Sequence, residues 1–158
     1  MRPRRSALLG FLACAPLVGC SAYQPPAFEV LRVDELERSG EAVVLGFTLS
    51  ATNPNDQPMP LQRMKYSLML EGQQVFEGRR SAETVVRRFG TQIIELPAVV
   101  PTTEFDPQRF EQTGELRYDL TGWVEYQTPG ELAEVLFDTG VRRPRASLTQ
   151  RGTVDVEG

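Results

Sequence analysis

The segment FTLSATNPNDQPMPLQRMKYSLML, residues 47–70, decides the fold of this 158-residue chain. Apolar residues alternate with polar ones on both sides of its Asn-Pro-Asn triplet, and a period of two residues is typical of half-buried antiparallel strands. The predicted inward-facing residues of the first strand are Val43, Leu45, Phe47, Leu49 and Ala51. Those of the second strand are Met64, Tyr66, Leu68 and Leu70. The segment therefore predicts two strands that each bury one face.

The triplet Asn53-Pro54-Asn55 predicts a chain reversal between these strands. Pro54 holds Asn53 in an extended conformation and removes a backbone donor, so the hydrogen-bond ladder must stop there. Asn55 tolerates a left-handed conformation, and both Asn side chains can bond nearby backbone groups. We expect Pro58 and Pro60 to keep the loop that follows out of either sheet. This structural role is favoured over a ligand-binding role.

The rest of the chain carries similar strand signals. Further strands are predicted at residues 28–37, 73–78, 90–100, 115–126, 135–138 and 146–156, with Gly72 in a hairpin turn. One short helix is predicted from Asp106, which can cap it, to Gly114, which can end it. About seven short strands with turn signals between them predict an all-β, two-sheet antiparallel sandwich with one short helix.

Residues 1–19 are predicted to be a lipoprotein signal peptide. Three arginines precede an apolar run of 12 residues, which is shorter than the roughly 20 that a helix needs to cross a bilayer. The residues Leu17, Val18, Gly19 and Cys20 resemble a lipobox. Its apolar Leu17 fills a pocket of the peptidase, small Gly19 allows cleavage, and the Cys20 thiol takes up a diacylglyceryl group. Cleavage after Ala15 is the alternative, but Pro16 would then follow the cut. Twin-arginine export is a further, weaker alternative.

Cleavage before Cys20 leaves a lipidated tether at residues 20–27 and a domain at residues 28–158. The mature chain keeps 14 basic and 21 acidic side chains, hence a net charge of −7, which argues against nucleic acid as a partner. Cys20 is then the only thiol, so a disulfide within the chain is excluded. We expect a lipid-anchored monomer of the cell envelope, at the periplasmic face of the outer membrane, because Ser21 resembles an outer-membrane sorting signal.

The order of motifs also carries a family resemblance. The motifs that follow the triplet are Leu96-Pro97, Val100-Pro101, Tyr118-Asp119-Leu120 and Gly122. From about residue 28 to residue 156, the chain resembles the late-embryogenesis-abundant type 2 family, which carries the water-stress-and-hypersensitive-response (WHy) domain. The resemblance implies a fibronectin-type-III or immunoglobulin-like β-sandwich and a role in tolerance of desiccation or other stress. It offers no catalytic residue and no cofactor, and the stretch from Arg142 to Arg145 does not map onto it.

The chain offers little catalytic chemistry. It has no histidine, so the usual catalytic triads and zinc sites lack a central residue, and we expect no metal and no enzymatic activity. Lys65 and Ser67 share a strand face but are expected to be solvated. Asp119 and Glu125 share another face, which is expected to be hydrated. Their separation of about 20 Å exceeds the roughly 5–9.5 Å of paired glycosidase carboxylates.

Trp123 is the one candidate for a partner surface. It lies on the outer face of its predicted strand, either partly covered by a loop or the short helix, or exposed as a protein- or sugar-binding aromatic. Three basic groups, at residues 79–80, 87–88 and 142–145, are either solvated charges or contacts with anionic lipid headgroups. Two functions remain: a protective domain that acts on client proteins, and an envelope module that binds one protein or glycan partner.

Overall fold

The computed structural model describes residues 23–105 and 114–155. In these ranges it contains seven strands and one helix. The elements are β1 (Ala27–Arg38), β2 (Ala42–Thr52), β3 (Met59–Leu70), β4 (Gln73–Val86), β5 (Thr91–Pro101), β6 (Glu115–Tyr126), α1 (Glu131–Asp138) and β7 (Arg145–Asp155). The strands form a three-stranded sheet in the order β1-β2-β5 and a four-stranded sheet in the order β4-β3-β6-β7, and every pairing is antiparallel. The predicted all-β sandwich with one short helix is confirmed.

The core lies between the two sheets, and the alternating sequence positions fill it as predicted. All nine predicted inward-facing residues of β2 and β3 are buried. The ring of Phe47 packs edge-on against that of Tyr118, with centroids 5.3 Å apart. The hydroxyl of Tyr66 donates a hydrogen bond of 2.6 Å to the carbonyl of Pro97 on the opposite sheet. The sheets are thus joined by a polar bond as well as by apolar contact.

Two local features fix the four-stranded sheet. Glu71 and Gly72 form the two-residue turn between β3 and β4, with φ values of 47° and 83°. Two positive φ values in succession are those of a type I′ hairpin turn, whose twist matches the strands it joins. Gly122 allows β6 to approach β3 closely, because a Cβ atom there would collide with the carbonyl oxygen of Lys65.

The first and last strands also meet. The side chain of Gln150 in β7 donates a hydrogen bond of 2.7 Å to the carbonyl oxygen of Phe28 in β1. These residues are 122 positions apart in the sequence. One side of the sandwich is therefore closed by its two terminal strands.

The prediction for Pro60 is wrong. Pro60 lies inside β3, where it pairs with Val85 of β4, and Met59 before it is fully buried. The carbonyl of Pro60 accepts a hydrogen bond of 3.0 Å from the backbone N–H of Gln127, just beyond the end of β6. The N and C=O groups of an extended residue point to the same side, so the missing N–H faces the end of the neighbouring strand. The strand therefore loses no interior ladder bond.

The prediction of a strand at residues 135–138 is also wrong, because these residues lie in α1. Glu131 and Glu134 occupy the first turn of α1, where negative charge is favoured by the helix dipole. Gly140 follows the helix with a φ of 76°, which is typical of a helix end. Phe137 is its only buried residue. The helix predicted at residues 106–114 falls almost entirely outside the described residues.

The antiparallel pairing gathers four segments at one end of the sandwich. They are the described N-terminal residues 23–26, the β2–β3 connection at 53–58, the β4–β5 turn at 87–90, and the segment from β6 to β7 at 127–144. We call this end the entry pole. It positions the Asn-Pro-Asn triplet and the N-terminal segment.

Candidate functional site

The Asn-Pro-Asn triplet joins three segments of the entry pole. The side-chain amide of Asn53 is fully buried and donates to the carbonyl oxygens of Gln57, Val86 and Arg87 over 2.7–3.2 Å. Its oxygen accepts from the backbone and side-chain nitrogens of Asn55 at 3.0 and 2.9 Å. The triplet thereby fixes its own loop and the β4–β5 turn. Asn55 is not among the described residues with positive φ, so its tolerance of a left-handed conformation is not used.

Asn55 also holds the described N-terminal segment. Its side chain accepts from the N–H of Gln24 and donates to the carbonyl of Gln24, both at 2.8 Å. The ring of Tyr23 stacks on that of Tyr126 with centroids 6.4 Å apart, and burial raises the pKa of both phenols. The lipobox residues Leu17, Val18 and Gly19, and Cys20 itself, lie outside the described residues.

Trp123 lies half-buried on the outer face of the four-stranded sheet. The guanidinium carbon of Arg145, on the neighbouring strand β7, lies 4.0 Å from the centre of its ring. This distance is well within the range of a cation–π interaction. The side chain of Arg145 therefore covers the tryptophan ring. The sequence alone predicts either cover by a loop or the short helix, or an exposed ring.

Glu125 departs from the expectation that it is hydrated. Its side chain is 2% exposed and lies between two arginines. The Oε2 atom is 3.2 Å from Nε of Arg63, and the Oε1 atom is 3.0 Å from a terminal nitrogen of Arg145. Arg145 is its direct cross-strand partner. A carboxylate with two guanidinium donors can be buried because both of its oxygens are bonded.

These residues form the floor of a groove of about 1050 Å³ that crosses the outer face of the four-stranded sheet. Its cationic lining residues are Arg63, Lys65, Arg79, Arg80, Arg143 and Arg145. The remaining lining residues are Met64, Ser81, Trp123, Glu125 and Gly140. We call this feature the cationic groove. Antiparallel pairing places its residues side by side although they are up to about 80 positions apart in the sequence.

The cations of the groove differ in how they are held. Lys65 pairs with Glu77 at 2.7 Å, and Arg80 donates to the carbonyl oxygen of Glu95. Arg143 donates to the carbonyl oxygen of Phe137 at 3.1 Å. Within the described ranges, the side chain of Arg79 has no hydrogen-bond or ion-pair partner. The groove therefore combines fixed guanidinium groups with one that is unpaired.

The positions of the side chains do not support a catalytic pair of Lys65 with Ser67 or of Asp119 with Glu125. Lys65 bonds Glu77, while the hydroxyl of Ser67 lies 3.0 Å from that of Thr121, so the two do not form a dyad. Asp119 pairs with Arg151, far along β6 from Glu125. Among the described residues, no group of three or more His, Cys, Asp or Glu side chains could hold a metal ion.

The sequence alone indicates some residues of the groove but does not show that they lie together. Trp123 and the basic groups at 79–80 and 142–145 were singled out as separate features. The structure brings Trp123 together with Arg79, Arg80, Arg143 and Arg145. Arg142 does not line the groove, and neither do Arg87 and Arg88 at the β4–β5 turn. Arg63 and Glu125 were missed as members because only the register of β3, β6 and β7 reveals their contact.

The fold is shared by several solved structures. The solution structure of AT1g01470 from Arabidopsis thaliana matches with a TM-score of 0.67 at 15% identity, covering 89% of each chain. The solution structure of At2g46140.1, described as "a putative late embryogenesis abundant (LEA) protein", matches with a TM-score of 0.59 at 16% identity, covering 83% of this chain and 71% of that one. A protein from Archaeoglobus fulgidus matches with a TM-score of 0.56 at 7% identity, covering 83% and 98%. At these identities the likeness shows the fold alone.

Sequence comparison supplies the family. No curated protein matches the chain significantly. The family model described as "Late embryogenesis abundant protein", LEA_2, matches residues 48–141, which run from the middle of β2 to just beyond α1. This span covers more than half of the chain and includes the triplet, Trp123 and most of the cationic groove. The chain therefore belongs to the LEA_2 family of late embryogenesis abundant proteins.

Proposed function

We propose that this protein is a non-catalytic, lipid-anchored domain of the cell envelope that protects other proteins or membranes during desiccation or related stress. The observation that carries the proposal is the LEA_2 match over residues 48–141. Two solved structures with the same fold, one of them described as late embryogenesis abundant, support it.

The folded sandwich supplies a mechanism that needs no active site. Outer strand positions such as Thr48, Lys65 and Thr121 carry polar or charged groups. A hydrated, rigid surface of this kind keeps drying clients apart without burying much of their surface. Protection of this type should depend on the ratio of protein to client and not on one anchor residue.

The protective role is tested with client enzymes that aggregate on drying or freezing. The lipid-free domain should lower aggregation in proportion to its molar ratio, and Trp123→Ala should protect as well as the parent once its folding is verified. Protection that disappears in Trp123→Ala, or a parent domain that protects no client, would contradict the proposal.

Anchoring through Cys20 is the second part of the proposal. Only two residues separate Cys20 from Tyr23, which stacks at the entry pole, so a lipid on Cys20 would hold this pole within roughly 10 Å of the bilayer. No helix in the described ranges is long and apolar enough to cross a membrane. The periplasmic face of an outer membrane is the location we propose.

The anchor is tested by acyl labelling of the full chain in cells. The parent should incorporate a fatty-acid analogue and partition into detergent, because each buried CH₂ group adds about 0.8 kcal/mol of membrane affinity. Cys20→Ser should abolish both properties. Undiminished labelling in this variant would rule out Cys20 as the lipid attachment site.

A second candidate function is that of an envelope module with one saturable partner. The cationic groove favours this function, because the binding energy of an interface is usually concentrated in a few residues, often arginine and aromatic ones. Such a module would lose its partner in Trp123→Ala or Arg145→Ala. A pull-down from membranes with these variants separates the two functions.

A further inference from the structure

The cationic groove carries more positive charge than its carboxylate partners neutralise. Its lining includes six cationic residues and, among the described residues, a single carboxylate, that of Glu125. The guanidinium of Arg80 bonds the opposite sheet, which leaves five cations for the groove. One buried carboxylate is shared between the exposed arginines Arg63 and Arg145, so this triad keeps an excess positive charge. The guanidinium of Arg79, which has no hydrogen-bond or ion-pair partner within the described ranges, adds a second. Excess charge in a concave site attracts and concentrates anions.

The guanidinium groups on the groove floor are held in place before any ligand arrives. Glu125 bonds both Arg63 and Arg145, and Trp123 stacks against Arg145. On the loop after α1, the carbonyl of Phe137 holds Arg143. Side chains that are already ordered lose less conformational entropy on binding, so a ligand gains more from each contact. Such pre-ordered charges on an open groove suit the binding of an anion.

The shape and charge of the groove restrict the ligand. Its volume of about 1050 Å³ is close to the upper end of small-molecule sites, which measure roughly 300–1,000 Å³. Acidic residues such as Glu77 and Glu83 lie next to it on β4, and the whole chain has a net charge of −4. A long polyanion would be repelled by this surrounding surface. The complementary ligand is therefore compact.

Guanidinium forks bind the oxygen atoms of phosphate and carboxylate groups. A phosphate group carries up to about two charges and three acceptor oxygens, so it satisfies several forks in a small space. We propose that the cationic groove binds a compact ligand with two or more phosphate groups, either free or at the head of a lipid. This site goes beyond the protective role and does not depend on it.

Trp123 makes the site directly measurable, because it is the only tryptophan and lies on the groove floor. Every buried apolar side chain of the described core lies between Val43 and Val154, so a chain that starts at Ser21 keeps the whole core. Titration of this chain with tripolyphosphate should change Trp123 fluorescence saturably. Citrate, a compact anion with carboxylates only, should bind at least about tenfold more weakly. No saturable response to tripolyphosphate, or equal affinity for citrate, would overturn the proposal.

Matched variants test the location of the site. Arg79→Gln should weaken tripolyphosphate binding about tenfold, the factor expected for loss of one charge-assisted hydrogen bond. Arg88→Gln removes the same charge outside the groove and should leave binding unchanged. Arg145→Lys keeps the charge but loses the fork and the stacking on Trp123, and calorimetry should show weaker binding. Equal weakening in Arg79→Gln and Arg88→Gln would overturn the proposal.

Vesicles distinguish the two sources of phosphate. The same chain is mixed with vesicles of phosphatidylcholine that contain cardiolipin, a lipid whose head group carries two phosphates, with and without free tripolyphosphate. Sedimentation with the vesicles that tripolyphosphate reverses identifies a lipid headgroup as the ligand. Tripolyphosphate binding without sedimentation identifies a free ligand, and both results support the site. Sedimentation that tripolyphosphate does not reverse and Arg79→Gln does not weaken would contradict it.

Discussion

Asn53 is a single buried amide on which the β2–β3 connection depends. Its nitrogen donates to the carbonyl oxygens of Gln57 and Val86, and its side chain is fully buried. Asn53→Asp removes these donors and places a carboxylate against the carbonyl groups. We expect the free energy of unfolding to fall by about 3 kcal/mol or more, measured by chemical denaturation. The exposed exchange Asp56→Asn in the same loop should change it by less than about 0.5 kcal/mol, and equal effects would refute the role given to Asn53.

Gly122 is the residue that allows β3 and β6 to approach each other. A Cβ atom at this position would collide with the carbonyl oxygen of Lys65 and lie 2.8 Å from Cα of Tyr66. Both are backbone atoms, so a side-chain rotation cannot relieve the clash. Gly122→Ala should therefore lower the melting temperature and cost about 2 kcal/mol. Gly40→Ala, where no atom lies within 4 Å of the added Cβ, should be nearly neutral.

At the scale of the strand, β2 tests whether facing controls stability. Phe47 is fully buried and packs against Tyr118, whereas Thr48 on the opposite face is only partly buried. Phe47→Ala should lower the free energy of unfolding by about 3–5 kcal/mol. Thr48→Ala should cost less than about 1 kcal/mol. Urea denaturation of both variants decides the matter, and similar losses would mean that the two faces had been assigned wrongly.

The elements that the sequence predicts well are those whose burial alternates. Strands β2, β3 and β6 each have one face in the core, so a period of two appears directly in their residues. Helix α1 buries only Phe137 and leaves Leu132 and Val135 exposed. Its covered face carries Ala133, Leu136 and Phe137 at helical spacing, but the exposed apolar residues between them obscure this stripe, so the stretch resembles a short strand. Its acidic first turn and Gly140 were the signals that could have identified it.

The cationic groove was less predictable than the strands because it depends on pairing between distant segments. Residues 79–80 and 142–145 are basic in sequence, but nothing local shows that they meet. Glu125 was expected to be hydrated because acidic residues on outer strand faces usually are. Its burial follows from the two arginines that register places beside it. A sequence pattern gives the face of each strand, whereas a site across strands also requires the register.

At the scale of the molecule, all four tyrosines make the fold sensitive to high pH. Burial raises the pKa of Tyr23, Tyr66, Tyr118 and Tyr126 above the ordinary value of 10.0. A pKa that is higher in the folded state gives stability that is fully present below about pH 10 and is lost as the pH rises through the folded value. We expect the free energy of unfolding to fall steadily above pH 10.

Tyr66 provides the check on this prediction, since its hydroxyl bonds Pro97 across the core. Tyr66→Phe should lower stability by about 1–2 kcal/mol at neutral pH, because the Pro97 carbonyl loses its donor. The loss relative to the parent should shrink above pH 10. Denaturation curves between pH 7 and 11 measure both effects, and a constant difference across this range would show that Tyr66 does not contribute to the alkaline transition.

The bond between Gln150 and Phe28 has a consequence for the time at which the protein can fold. Although β1 pairs with β2, its neighbour in sequence, the sandwich cannot close until β7 has left the ribosome, because the bond between Gln150 and Phe28 spans 122 positions. Long-range pairings of this kind make folding slow, since the entropy of loop closure must be overcome first. The complete sandwich therefore cannot form during most of the synthesis of the chain. A secretion channel accepts chains that have not finished folding, so this delay would suit the export that we propose.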